Sequence, residues 1–128
     1  MLFRSKDSDI SEWEFLNHVA KRTGCYFLLD VNNLWVNQVN KIAQAKDFLQ
    51  SIDLSRVRQI HIAGASHDQG TLVDTHDSEP HEDTIALLSS LEPKKHAWPI
   101  VYERDGNLTS MNANLTVATQ LGGKLECH

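Results

Sequence analysis

The stretch Cys25 to Asn33 constrains this chain more than any other, because the apolar run Tyr26-Phe27-Leu28-Leu29 passes directly into Asp30, Asn32 and Asn33. An apolar run without alternation predicts a strand covered on both faces, as in the parallel sheets of α/β folds. Polar side chains at the C-terminal end of such a strand fall where parallel sheets place their sites. Asp-x-Asn-Asn after a strand equally suits a turn or a helix cap, so both readings stand at this point. Two later strands that end the same way favour a site.

The flanking elements fit an α/β order. Ser11 followed by Glu14 forms a capping box, and Trp13, Leu16, Val19 and Ala20 share one stripe that stops at Gly24, which predicts an amphipathic helix over 12–23. A strand over Cys25–Val31 follows, and residues 34–40 read as an asparagine-rich loop in which Trp35 either lines a cleft or packs over the sheet end. Lys41–Ile52 carries Ile42, Ala45, Phe48, Leu49 and Ile52 at helical spacing, and Val57–Ile62 is a second strand with His61 near its end. Ala65–Pro80 reads as one long polar loop holding His67, Asp68, Asp74, His76 and Asp77, with His81 just beyond, and loops of that length are usually functional. A short helix over Glu82–Leu91, a third strand over Pro99–Glu103 and a last helix over Met111–Leu121 complete the order. No repeat or linker divides the chain, so residues 1–128 read as one unit.

Composition narrows the function classes. With 41% hydrophobic and 23% charged residues the chain is an ordinary globular sequence, which excludes extended disorder. A formal net charge of −5 and the absence of a Lys/Arg cluster argue against nucleic acid as a partner. No apolar run approaches the ~18 residues of a membrane span. The first residues, Met-Leu-Phe-Arg-Ser-Lys-Asp, lack the apolar core of a signal peptide, so a cytoplasmic location with reduced thiols is expected. Cys25 is then a small core residue and Cys127 a free tail thiol, while the acceptor-like Asn107-Leu-Thr109 and Asn114-Leu-Thr116 are chance matches.

Three successive strands end in Asp30, His61 and Glu103, and the loop after the second supplies Asp74 and His76. Parallel strands point their C-termini to one face, so these residues converge into a mixed oxygen and nitrogen set. Asp74 and His76, two apart, point the same way if the backbone is extended. Histidines with carboxylates and no paired thiolates suit iron, manganese or zinc rather than an iron–sulfur or soft-metal site. Metal-free acid–base chemistry by Asp74, His76 and Glu103 is the alternative. The chain has no Gly-x-Ser-x-Gly elbow, phosphate loop or Gly-x-Gly-x-x-Gly, so acyl transfer, nucleotide hydrolysis and dinucleotide redox chemistry are without support.

Ser-Glu-Trp-Glu-Phe-Leu, Thr-Gly-Cys-Tyr-Phe-Leu-Leu-Asp-Val-Asn-Asn, Gln-Ile-His-Ile-Ala-Gly, Asp-Thr-His and Tyr-Glu-Arg-Asp occur in that order between about residues 11 and 108. In this they resemble the C-terminal half of the multinuclear non-haem iron oxidative enzymes, the family of the methanobactin-synthesis enzyme. The resemblance implies a partial (β/α)8 TIM barrel of the xylose-isomerase-like kind, with about three parallel strands and flanking helices. It also implies two or three irons that use O2 to modify cysteine-containing ribosomal peptides delivered with a partner protein. By matching position, Asp30, His61 and Glu103 resemble ligands of the central iron cluster, and Asn33, Asp74 and His76 resemble ligands of a further iron. The family's remaining ligands, two histidines and a glutamate, come from strands that precede the matching region. Two departures touch the surroundings of the site: Asn40-Lys41 replaces the usual Asn-His, and Ala65 follows His-Ile-Ala-Gly where another histidine is common.

A closed eight-stranded barrel needs about 200 residues or more. The chain is therefore expected to be a fragment, inactive alone, that can self-associate through open sheet edges. Two alternatives remain: a fragment of a zinc- or manganese-dependent isomerase or phosphodiesterase of the same barrel superfamily, and a non-enzymatic degenerate remnant.

Overall fold

The computed structural model describes residues 9–92 and 96–105. The helix expected over Met111–Leu121 lies outside them.

Helix α1 (Glu12–Thr23) begins and ends where its caps dictate. The Ser11 backbone N–H donates to Glu14 Oε2 at 2.8 Å and the Glu14 N–H donates back to Ser11 Oγ at 3.3 Å, so two otherwise orphaned donors are satisfied. Gly24 closes the helix at φ 76°, in the left-handed region that suits a residue without Cβ, and its N–H reaches Ala20 O. Ala20 is buried, and Trp13 and Leu16 pack on the main core.

Strand β1 (Phe27–Asp30) is shorter than expected, and it is covered on one face only. Leu29 is buried, but Leu28 and Tyr26 are 51% and 57% exposed, and Cys25 is exposed rather than a core residue. The reason is alternation: Leu29 faces the apolar cluster, whereas Leu28 points to the other face of the sheet. Tyr26 instead lies under the Arg58 guanidinium, 4.0 Å from its ring centre.

Residues 31–39 form helix α2 (Val31–Val39), not the loop expected over 34–40. Asp30 caps it by accepting the Asn33 N–H at 2.9 Å. Val31, Leu34 and Trp35 fall at i, i+3 and i+4 and are buried, so an apolar stripe was hidden among the asparagines. Trp35 is a packing residue, stacked on His81 at 4.4 Å and grouped with Val36 and Leu72. Helix α3 (Ala45–Ser51) is shorter than the expected Lys41–Ile52, because Lys41 turns left-handed at φ 57° and leaves Ile42 exposed. Asn17 ties α1 to the end of α3, donating to Ser51 O and accepting from the Asp53 N–H, each at 2.8 Å.

After a 3-10 turn (Leu54–Arg56) comes strand β2 (Val57–Ile62). The polar stretch that follows is not one loop but contains a hairpin of β3 (Ser66–Asp68) and β4 (Thr71–Val73). Its two-residue connection, Gln69 at φ 48° and Gly70 at φ 83°, has both residues in the positive-φ geometry that matches strand twist. Asn40 docks the hairpin on α2: its amide donates to Leu72 O at 2.7 Å and accepts the Leu72 N–H at 3.0 Å. Helix α4 (Glu82–Ser90) and strand β5 (Ile100–Tyr102) follow.

The main sheet has the order β1-β2-β5 and is parallel throughout. With its helices it is an α/β arrangement of three parallel strands, consistent with part of a TIM-barrel-like wall. Leu29, Ile60 and Ile62 are buried in one apolar cluster with Phe48, Ile52 and Leu88, with Ile100 and Tyr102 packed against it. The alternate residues face the other way.

Candidate metal centre

Strand parity puts the polar strand ends on one face. Asp30 and His61 are register partners, as are His61 and Val101, so Asp30, His61 and Val101 lie side by side. Glu103, two residues beyond Val101, continues that face, and its N–H still pairs with Ile62 O at 3.0 Å. Below this row the same face carries Leu28 and Gln59, and Gln59 Nε2 approaches His61 Nε2 at 3.2 Å.

The hairpin delivers the other two residues. Asp74 follows β4 directly, and His76 is held in the left-handed region at φ 56°, so the Asp-Thr-His stretch is not extended as expected. For a residue other than glycine this conformation is strained and persists because its surroundings fix it. Here the His76 N–H donates to Gly64 O at 3.0 Å, and His76 O accepts the Asp105 N–H at 2.8 Å. Gly64 is required by the close passage of this loop: a Cβ at 64 would lie 2.0 Å from Ser78 O. Asp74 and His76 meet through the turn, with His76 Nε2 at 3.1 Å from Asp74 Oδ1.

The result is a linked chain of imidazoles and carboxylates with the Asp30–Asn33 pair beside it. Asn33 donates from its amide to Asp30 Oδ2 at 2.9 Å, in addition to its backbone bond to Asp30 Oδ1. Asp30 stands beside His61 in register; His61 Nδ1 lies 2.9 Å from Glu103 Oε1. Glu103 Oε2 lies 3.4 Å from His76 Nδ1, which also faces Asp105 Oδ2 at 3.3 Å. Asp30, Asn33, His61, Asp74, His76 and Glu103 are thus all brought together. His67 and Asp68 remain exposed on the hairpin, Asp77 bonds to Thr75 and Ser66, and His81 caps α4 by accepting the Asp83 N–H.

Electrostatics reflect the crowding. Burial raises the Asp30 carboxyl above the usual carboxylate range and the charge of Asp74 adds to it; the two hydrogen bonds from Asn33 and the nearness of His61 pull the other way without cancelling it. Burial lowers the His76 imidazole, but the carboxylates of Asp74, Glu103 and Asp105 together outweigh it and leave it above the ordinary histidine value. A histidine flanked by three carboxylates is a site of concentrated negative charge, suited to a cation or a proton.

Three contributors were not picked out from sequence. Asp105 sits in the Glu-Arg-Asp-Gly run after β5, where its proximity to Glu103 was the available signal. Gly64 was visible only as a strand-ending glycine. Asn32, whose amide donates to Asp74 Oδ1 at 2.6 Å, stands at the strand end beside Asn33, and nothing in the sequence separates their roles.

A family model described as "RiPP precursor modification enzyme MbnB/TglH/ChrH" matches residues 1–121. The chain belongs to the MbnB/TglH/ChrH family. Relatives include a UPF0276 protein of Rhizorhabdus wittichii, 39% identical over 102 residues that make up 80% of this chain and 37% of that protein. A UPF0276 protein of Shewanella loihica is 34% identical over 122 residues, 94% of this chain and 44% of its own length. One from Chromobacterium violaceum is 40% identical over 99 residues, covering 77% and 36% respectively. The chain therefore spans about two-fifths of the length of these relatives, and membership of the MbnB/TglH/ChrH family describes a segment of that length.

The nitrogen and oxygen donors fit a divalent ion such as iron, manganese or zinc in chemical type. Their present arrangement is different: among the described residues no group of three or more His, Cys, Asp or Glu is disposed to hold a metal ion, and the imidazoles pair with carboxylates instead. Among the described residues, too, no helix is long and apolar enough to cross a membrane.

Proposed function

We propose that this chain carries part of the metal centre of an iron-dependent oxidative enzyme acting on cysteine-containing ribosomal peptides, and that it is inactive by itself. The observation that carries the reading is the gathering of all six candidate residues, from three strand ends, the first turn of α2 and the loop after the hairpin, at the C-terminal mouth of a parallel sheet. Family membership supports a peptide substrate, and the relatives' greater length supports a half-barrel that completes its ligand set elsewhere. A partner protein that presents the peptide belongs to the same proposal.

Asp30, His61 and Glu103 would hold one ion; Asn33, Asp74 and His76 would hold a further one. When bound, iron would supply O2-dependent oxidation that no side chain here can perform. The chain's own residues prepare the site. Asn33 orients the Asp30 carboxylate with two hydrogen bonds, and Gly64 and Asp105 pin the His76 backbone. The His61–Glu103 and His76–Asp74 pairs must open for their donors to turn to a metal.

Purifying the chain anaerobically with ferrous iron and measuring metal content tests the ligand set. Bound iron whose content falls in the double variant Asp74→Ala/His76→Ala, by the ion assigned to Asn33, Asp74 and His76, is expected. An iron-free protein, or an unchanged content in that variant, sinks the reading.

The nitrogen and oxygen donor set suits manganese or zinc as well as iron, and this carries one second reading, a manganese- or zinc-dependent isomerase or phosphodiesterase of the same barrel superfamily. Redox-silent metal with turnover of a sugar or phosphate ester would support it. Oxygen uptake with a cysteine-containing peptide would exclude it.

A further inference from the structure

Asn32 is fully buried, and a buried amide without partners is costly. Its partners come from three separate segments. Nδ2 donates to Asp74 Oδ1 at 2.6 Å, at the exit of the hairpin, and lies 3.5 Å from Gly64 O, at the exit of β2. Oδ1 accepts the hydroxyl of Thr84 at 3.3 Å, on α4. Thr84 is itself fully buried. A carbonyl and a carboxylate can only accept, so the NH2 end of the amide must face Gly64 and Asp74, and Thr84 holds the other end.

We infer that Asn32 and Thr84 form a positioning pair that fixes the Asp74 carboxylate in the candidate centre. Asp74 Oδ1 is engaged by Asn32 on one side and by His76 Nε2 on the other, which leaves Oδ2 outside this pairing. The residue type at 32 is specified by charge as much as by shape. Aspartate would set a second carboxylate against Asp74, and leucine would fill the space without orienting anything. The consequence for metal binding rests on the ligand reading above, whereas the positioning of Asp74 does not.

The test separates the two. In the metal-free chain at one fixed pH, the side-chain carboxyl carbon of Asp74 and the side-chain amide of Asn32 are followed by NMR. Thr84→Val, which keeps the shape and removes the hydroxyl, should move both signals; Thr84→Ser, which keeps the hydroxyl, should restore them. Asn32→Leu should move the Asp74 signal most. In the second arm manganous ion is titrated and followed by electron paramagnetic resonance, and removal of an outer partner of a ligating carboxylate should weaken affinity roughly 10–100-fold. Asn32→Asp and Asn32→Leu should show that loss and Thr84→Ser should not.

An Asp74 signal that stays put in both Thr84→Val and Asn32→Leu overturns the inference. If either position-32 variant fails to fold, the Thr84 pair decides alone. Coupled NMR signals in a chain that binds neither manganous nor ferrous ion would uphold the positioning pair and remove the metal centre.

Discussion

The two faces of the β1-β2-β5 sheet differ in what they give the protein. On one, Leu29, Ile60 and Ile62 are buried against Phe48, Ile52 and Leu88. On the other, Leu28 is half exposed, Gln59 and Val101 are partly so, and the row ends in Asp30, His61 and Glu103. The strands are the same on both sides, so the difference arises from alternation: one parity holds the structure together and the other carries the chemistry. The packed face should therefore govern stability, and the open face should tolerate substitution until the strand ends are reached.

Ile60→Ala breaks the packed face at its centre. Ile60 is fully buried on the middle strand, so removing its side chain should cost about 2–5 kcal/mol, read as a lower urea midpoint. A loss below about 1 kcal/mol would mean that the face relaxes around the gap and is not the rigid layer described.

Gly64→Ala tests the seam between the faces. Its Cβ would meet Ser78 O at 2.0 Å, and backbone has to give way. The expected destabilisation is about 1–3 kcal/mol. Because Gly64 O accepts the His76 N–H, the ring signals of His76 should also shift in NMR spectra, while those of Trp13, on the far side of the core, should not. Unmoved His76 signals would show that the loop does not depend on this close passage.

What could be read from the chain follows the same division. Helix α1 was legible to the residue, because Ser11, Glu14 and Gly24 specify its ends locally and its stripe is regular. The convergence of Asp30, His61 and Glu103 on one face was legible because strand ends and parity depend only on where apolar runs stop, whereas the turn that brings Asp74 and His76 beside them was not. Helix α2 was not, since Asp30 serves both as strand end and as cap, and a stripe of Val31, Leu34 and Trp35 is easily overlooked between asparagines. The hairpin was missed because Gln69 adopts positive φ without the asparagine or aspartate that usually announces such a turn. The choice between Asn32 and Asn33 turns on the rotation of α2 about its axis, which the sequence alone does not specify once the helix itself is missed.

Smaller effects are expected at the exposed N-terminal cap of α1. Ser11→Ala removes the cap and should cost about 1 kcal/mol. The hydrogen bond from the Ser11 side chain, then that from its backbone, hold the Glu14 carboxyl below the usual carboxylate range. A carboxyl lowered on folding contributes stability that is present above its unfolded value and lost as the pH falls through its folded value. Stability measured from neutral to acid pH should therefore fall less steeply in Ser11→Ala than in the parent chain. Parallel curves would show that the box does not persist in solution.

The smallest effect is expected at Leu28, and it is the sharpest check on the open face. Both Leu28 and Leu29 lie in the same four-residue strand, so local β propensity and chain position are nearly shared. Only parity separates them. Leu29→Ser should be strongly destabilising, whereas Leu28→Ser should change the free energy of urea unfolding by no more than about 0.5 kcal/mol, as for other exposed positions. A large loss at Leu28 would mean that its face is covered in solution. Sedimentation of the parent chain would then identify the cover: a mass of two chains that falls to one in Leu28→Ser assigns it to self-association, and a single-chain mass throughout assigns it to residues of the same chain.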